Sequence, residues 1–112
     1  IQKCVEAGIS KEKIIIDPGI GFGKSGENNI NLLKNIKWLK TIHSNVCIGS
    51  SNKRYSSQLF KHIQTKEDLR IANLATFATS TFYGVTYLRV HDVGLTKDTI
   101  LVINKAIELE QS

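Results

Sequence analysis

Apolar residues fall into two patterns along this chain. Three short runs are rich in β-formers and nearly continuous: Ile14-Ile15-Ile16, Val46-Cys47-Ile48 and Tyr87-Leu88-Arg89-Val90. Strands buried on both faces of a parallel sheet read this way, and the runs predict strands near residues 14–17, 46–49 and 86–90. After each run the apolar positions change to helical spacing. Ile30, Leu33, Ile36 and Leu39 mark the inner face of a helix over about Asn29 to Lys40. Ile71, Leu74, Ala75, Ala78 and Phe82 mark that of a helix over about Lys66 to Tyr83, with Gly84 as its terminator. In this second helix Thr76, Thr79, Ser80 and Thr81 are small enough to permit close packing. A third helix begins near Thr96, a good N-cap residue, and turns Ile100, Ile103 and Ile107 inward.

Alternating strands and helices define an α/β fold built from βα units on a parallel sheet, with right-handed crossovers. Three strands cannot close a barrel, and their apolar edges need neighbours. A (β/α)8 barrel takes about 250 residues; the 112 residues here would supply three of its eight units. The chain contains no Met and opens at Ile1 inside a helical pattern, which predicts that it is part of something longer.

Composition narrows the setting. No run reaches the roughly 20 apolar residues of a membrane span, and no signal peptide is visible, so no membrane partner is expected. Cys4 and Cys47 show no metal or redox spacing and read as buried or half-buried free thiols in a reducing compartment, the cytoplasm by default. The net charge of +5 raises nucleic-acid binding. The lysines are scattered and lack interleaved aromatics, so no nucleic-acid partner is expected.

The chemistry gathers where the strands end. The first run leads into Asp17-Pro18-Gly19-Ile20-Gly21-Phe22-Gly23-Lys24, the second into Gly49-Ser50-Ser51-Asn52-Lys53-Arg54, and the third closes on Arg89-Val90-His91-Asp92-Val93. The glycine loop lacks the spacing of a P-loop, and Lys24 stands where a dinucleotide fingerprint needs its last glycine. Asp17 is either a carboxylate for a guanidine-like ring edge or an Asp-Pro turn former. Lys53, Arg54, Arg89 and His91 converge on one mouth and suit an anion, phosphate above all. The competing account of Arg89 is an internal pair with Asp17 or Asp92. His43 and His62 have no such company and are expected at the surface.

In this order the three blocks resemble the sixth, seventh and eighth strand motifs of dihydropteroate synthases, and Asn29 and Leu32-Leu33 extend the first match into its helix. The resemblance implies that residues 1–112 form the C-terminal segment of a single pterin-binding TIM barrel. It implies the condensation of 6-hydroxymethyl-7,8-dihydropterin pyrophosphate with p-aminobenzoate to dihydropteroate and pyrophosphate, in folate biosynthesis. By position, Asp17 would bind the pterin's amino-pyrimidine edge. Lys53 would lie against the pterin and shape the p-aminobenzoate site. Phe22 and Ser51 would contact p-aminobenzoate, where sulfonamides also bind in this family. Arg89 would stack on the pterin and, with His91, hold the pyrophosphate. Lys53, Arg89 and His91 are thus the catalytic set. Mg²⁺ assists in the family, with its ligand outside this segment. The resemblance further implies a missing N-terminal barrel half, which leaves the isolated chain inactive, and a homodimer through the last two helices. One position departs: Asn52 stands where the family carries Arg. That departure leaves a diverged or non-catalytic barrel remnant as the competing account, beside the pterin-binding domain of a methyltransferase.

Overall fold

The computed structural model describes residues 1–19, 26–49 and 55–111. In chain order the elements are α1 (Gln2–Glu6), a 3-10 turn (Lys11–Lys13), α2 (Gly26–Lys34), α3 (Ile36–Ile42), β1 (Cys47–Ile48), α4 (Tyr55–Leu59), α5 (Lys66–Phe82), β2 (Tyr87–Leu88) and α6 (Val93–Gln111). β1 and β2 pair in parallel, Cys47 opposite Tyr87 and Ile48 opposite Leu88. On the other side of β1, Ile16 forms a parallel bridge to Val46. Three parallel segments with helical crossovers result, β1 in the middle.

All three expected strands are in place, but each is shorter than its apolar run. The first shrinks to the Ile16 bridge, held by Ile16 N–H to Asn45 O (3.0 Å) and Cys47 N–H to Ile16 O (2.8 Å). Pro18 has no N–H to extend the ladder. The Asp17 carboxylate instead takes the N–H of Gly19, at 2.8 Å, and Gly19 has a φ of 81°. Burial on both faces is not observed either. Ile16, Val46, Ile48 and Leu88 pack with Leu33 and Ile36 beneath the helices. On the opposite face Ile15 and Tyr87 remain 50% and 47% exposed. The helices cover one side of the sheet, and nothing among the described residues covers the other.

The helix expected from Asn29 to Lys40 is two helices, broken at Asn35 (φ −86°, ψ 0°). The N–H of Asn35 is shared between the carbonyls of Asn31 and Leu32, a three-centre bond typical of a helix terminus. Leu33 and Ile36, on either side of the break, both reach the core. Ile30 stays at the surface, and Asn29 is fully buried.

α5 has the expected bounds because both of its ends are capped by side chain and backbone. At the start Thr65 and Asp68 form a capping box. At the end Gly84 (φ 96°) closes a Schellman motif, with Val85 N–H to Ser80 O and Gly84 N–H to Thr81 O. Its inner face is not the expected one. Leu69, Thr76, Phe77 and Ser80 are buried, whereas Ile71 and Phe82 are 58% and 61% exposed. The two stripes lie about half a turn apart at 100° per residue. Thr76 and Ser80 can face inward because each hydroxyl donates to a carbonyl one turn back, Ala72 and Thr76 respectively. Small hydroxyls satisfied within the helix can be buried at no cost in unpaired groups, and apolar periodicity alone does not register them.

The capping box supplies a test. Thr65→Ala should destabilise the protein by about 1 kcal/mol. The N–H of Thr65, then that of Gln64 and the Thr65 hydroxyl, hold the Asp68 carboxyl below its ordinary value. A depressed folded value means the stabilisation is complete above the unfolded value of about 3.9 and fades as pH falls through the folded one. The protection of the first-turn amides of α5 against hydrogen exchange, relative to their intrinsic rates, should therefore fall below about pH 4. Asp68→Asn should abolish that pH dependence.

α6 begins at Val93, one turn before the expected start. Thr96 lies within its first turn, buried, and donates its N–H to the carbonyl of Asp92; it is not the N-cap. Ile100, Ile103 and Ile107 are half-buried as expected, while Leu101 and Val102 face out. Both cysteines are free and half-buried. His62 is exposed as expected, but His43 is buried. It ends α3 and its ring Nε2 bonds the carbonyl of Ile14, which fastens the helix end to the first strand.

The amino ends of the strands are stitched by polar groups. Thr86 Oγ1 donates to Ser44 O (2.8 Å) and accepts from Lys40 Nζ (2.9 Å) and Val46 N–H (3.2 Å). The Asn45 amide reaches the carbonyl of Glu12. Among the described residues no helix is long and apolar enough to cross a membrane.

Candidate active site at the strand ends

Side chains alternate across a strand, and directly paired residues share a face. Ile16 and Val46 face the helices, as do Ile48 and Leu88. Asp17, Cys47, Gly49, Tyr87 and Arg89 therefore share the uncovered face. Asp17, Gly49 and Arg89 stand at the carboxyl ends of three adjacent parallel strands, where ligands bind in α/β folds.

Arg89 is carried into position by the ladder, its N–H donating to Ile48 O at 2.9 Å. Its guanidinium crosses the middle strand and meets Asp17, Nη1 to Oδ2 at 3.3 Å. A β-carbon at Gly49 would lie 2.5 Å from Nη2 and 2.7 Å from Cζ, so only glycine leaves this path open. Asp17 plays both parts weighed for it: Oδ1 makes the turn with Gly19 while Oδ2 faces the guanidinium. The Arg89 side chain is 61% exposed and that of Asp17 29%. Such a solvent-screened pair is worth about 0–1 kcal/mol, so an incoming ligand can part it at little cost.

Asp92, the other acid considered for Arg89, is engaged elsewhere. It accepts from Arg70 Nε at 2.9 Å, tying the start of α6 to α5. His91 follows Arg89 by two residues, is exposed, and leads into α6. Phe22, Ser51, Lys53 and the neighbouring Asn52 and Arg54 lie outside the described residues. The structure thus brings Asp17 and Arg89 together and sets His91 just beyond them.

Sequence reading missed Cys47 as a neighbour of the site. Burial raises its thiol pKa, Asp17 raises it further, and Arg89 opposes them. Burial thus favours the neutral thiol over the thiolate. Register, and not residue type, locates it. Among the described residues no three His, Cys, Asp or Glu side chains gather to hold a metal ion.

The pterin-binding enzyme profile matches residues 1–91, and the chain belongs to that family. Within it, sequence and fold match dihydropteroate synthases. The dihydropteroate synthase of Escherichia coli K12 is 31% identical over all 112 residues, which span 39% of that protein. That of Haemophilus influenzae is 39% identical over 102 residues, covering 90% of this chain and 36% of the relative. The Yersinia pestis enzyme superposes with a TM-score of 0.86 at 30% identity, over 96% of this chain and 50% of that one. The Coxiella burnetii enzyme in complex with pteroic acid does so with a TM-score of 0.87 at 29% identity, over 96% and 39%. The chain spans about two fifths of the length of these curated relatives.

Proposed function

We propose that this chain supplies the pterin- and pyrophosphate-binding side of a dihydropteroate synthase. The enzyme joins 6-hydroxymethyl-7,8-dihydropterin pyrophosphate to p-aminobenzoate. The remaining strands of its barrel come from sequence beyond these residues. The observation that carries this reading is the Asp17–Arg89 pair on one face of adjacent strand ends, separated by a glycine. A pterin presents ring and exocyclic N–H groups side by side, and the two Asp17 oxygens can accept both. Arg89, once parted from Asp17, offers a flat cation that stacks on the ring and five donors for phosphate oxygens. His91 adds a donor to the departing pyrophosphate.

The bond from the pterin methylene carbon to oxygen breaks first, and its electron pair leaves with the pyrophosphate. The p-aminobenzoate nitrogen then attacks the resulting cation and loses a proton. Stabilising the negative charge that builds on the leaving group is the main demand, and Arg89 and His91 meet it. Lys53 lies against the pterin, while Phe22 and Ser51 bound the p-aminobenzoate. The described residues offer no fitting donor set for Mg²⁺. The outward stripe of α5, Ile71 and Phe82 foremost, suits a homodimer contact with a second copy.

The test is product formation. The full chain with its complete barrel, given dihydropterin pyrophosphate, p-aminobenzoate and Mg²⁺, should release dihydropteroate and pyrophosphate in equal amounts. Intact pterin binding without product would replace this reading with a non-catalytic pterin binder, as would be fitting for Asn52 where the family carries Arg.

A further inference from the structure

We propose that Gly49 is the positioning residue for Arg89: its missing side chain is the channel through which the guanidinium crosses the middle strand to reach Asp17 and the ligand between them. The inference rests on the proposed pterin site for its functional consequence, but its geometry stands alone. Three guanidinium atoms, Nη2, Cζ and Nε, would lie 2.5–2.7 Å from a β-carbon at Gly49. No contact that close survives, so any side chain there displaces the arginine. The positive-φ glycines among the described residues are Gly8, Gly19 and Gly84. Gly49 therefore owes its identity to the space beside it and not to its backbone angle.

The consequence is specific. The group in the way is the far end of a flexible side chain, so Gly49→Ala moves it and leaves the backbone alone. Arg89 stays in the sequence but swings off Asp17 and off the ligand path. Gly49→Ala should thus reproduce Arg89→Ala while the protein remains folded. A glycine that merely eased backbone packing would give the opposite pattern, a loss of stability with or without Arg89.

A double-mutant cycle in the full chain decides this. Dihydropterin pyrophosphate affinity is measured by calorimetry for the wild type, Gly49→Ala, Arg89→Ala and the double variant. Each single variant should weaken binding on the order of tenfold or more, and the double variant no further. Wild-type affinity in Gly49→Ala, or a double loss equal to the product of the single losses, would overturn the proposal. A second readout needs no pterin. Cys47 sits on the same face, where the arginine lowers its thiol pKa. In a background where every other cysteine of the full chain is serine, the pH profile of Cys47 alkylation by iodoacetamide should move upward equally in Gly49→Ala and Arg89→Ala. A profile that moves only in Arg89→Ala sinks the proposal. If the wild type binds no pterin, the reading of function fails and the thiol comparison still decides the role of Gly49. If Gly49→Ala does not fold, the double variant must, because its obstacle is gone; unfolding in both backgrounds makes Gly49 structural and ends the proposal.

Discussion

Asp17→Asn should lower the affinity of the full chain for a dihydropterin by roughly ten- to a hundredfold, the equivalent of about 1.5–3 kcal/mol for hydrogen bonds to a charged group. The substitution is nearly isosteric. Its amide oxygen can still accept from Gly19 N–H, as Asp17 Oδ1 does at 2.8 Å, so the turn survives. What it loses is one acceptor and the negative charge. The amide NH₂ then faces either a ring N–H or the Arg89 guanidinium, donor against donor. Stability should barely change, because the exposed Asp17–Arg89 pair contributes little. Calorimetric titration beside a thermal melt separates the two effects. Unchanged affinity would remove Asp17 from the pterin site.

The second large effect concerns the core. Ile36→Ala should destabilise the protein by about 2–5 kcal/mol. Ile36 has no exposed surface and sits with Leu33, Val46 and Ile48 in the one buried apolar cluster of the described residues. It also opens α3, directly after the break at Asn35. Total stabilities are commonly about 5–15 kcal/mol, which makes this a substantial fraction. Denaturant unfolding of the full chain measures it, and Ile42→Ala, on the same helix but half exposed, is the control. Equal costs at the two positions would show that this cluster is not the core.

Asp17 and Ile36 both stand out in the sequence itself. The three strand positions were legible because the apolar runs are short and β-rich, and the bounds of α5 because its caps are written in residue types. The faces were harder. Periodicity weighs apolar residues, so it put Ile71 and Phe82 of α5 inside and missed Thr76 and Ser80, whose hydroxyls satisfy themselves within the helix. The break at Asn35 and the early start of α6 depend on packing that no local pattern records. At the site, Asp17 and Arg89 were visible as residues, and their pairing only as one alternative. Which neighbours join them is a matter of register. Cys47 reads as one more apolar position until Ile16 is known to bridge Val46. His43 gave no signal, because a lone histidine at a helix end looks the same whether it meets solvent or a carbonyl.

The polar stitching at the amino ends of the strands has a consequence at the other end. Thr86, Ser44, Lys40 and Val46 lock β2 to β1, and His43 and Asn45 anchor the first strand through the carbonyls of Glu12 and Ile14. A strand that slipped by one residue would turn its whole pattern over, and these bonds hold the register from the ends remote from Asp17 and Arg89. The carboxylate of Asp17 and the guanidinium of Arg89 are thus aligned by bonds made at the opposite ends of their strands.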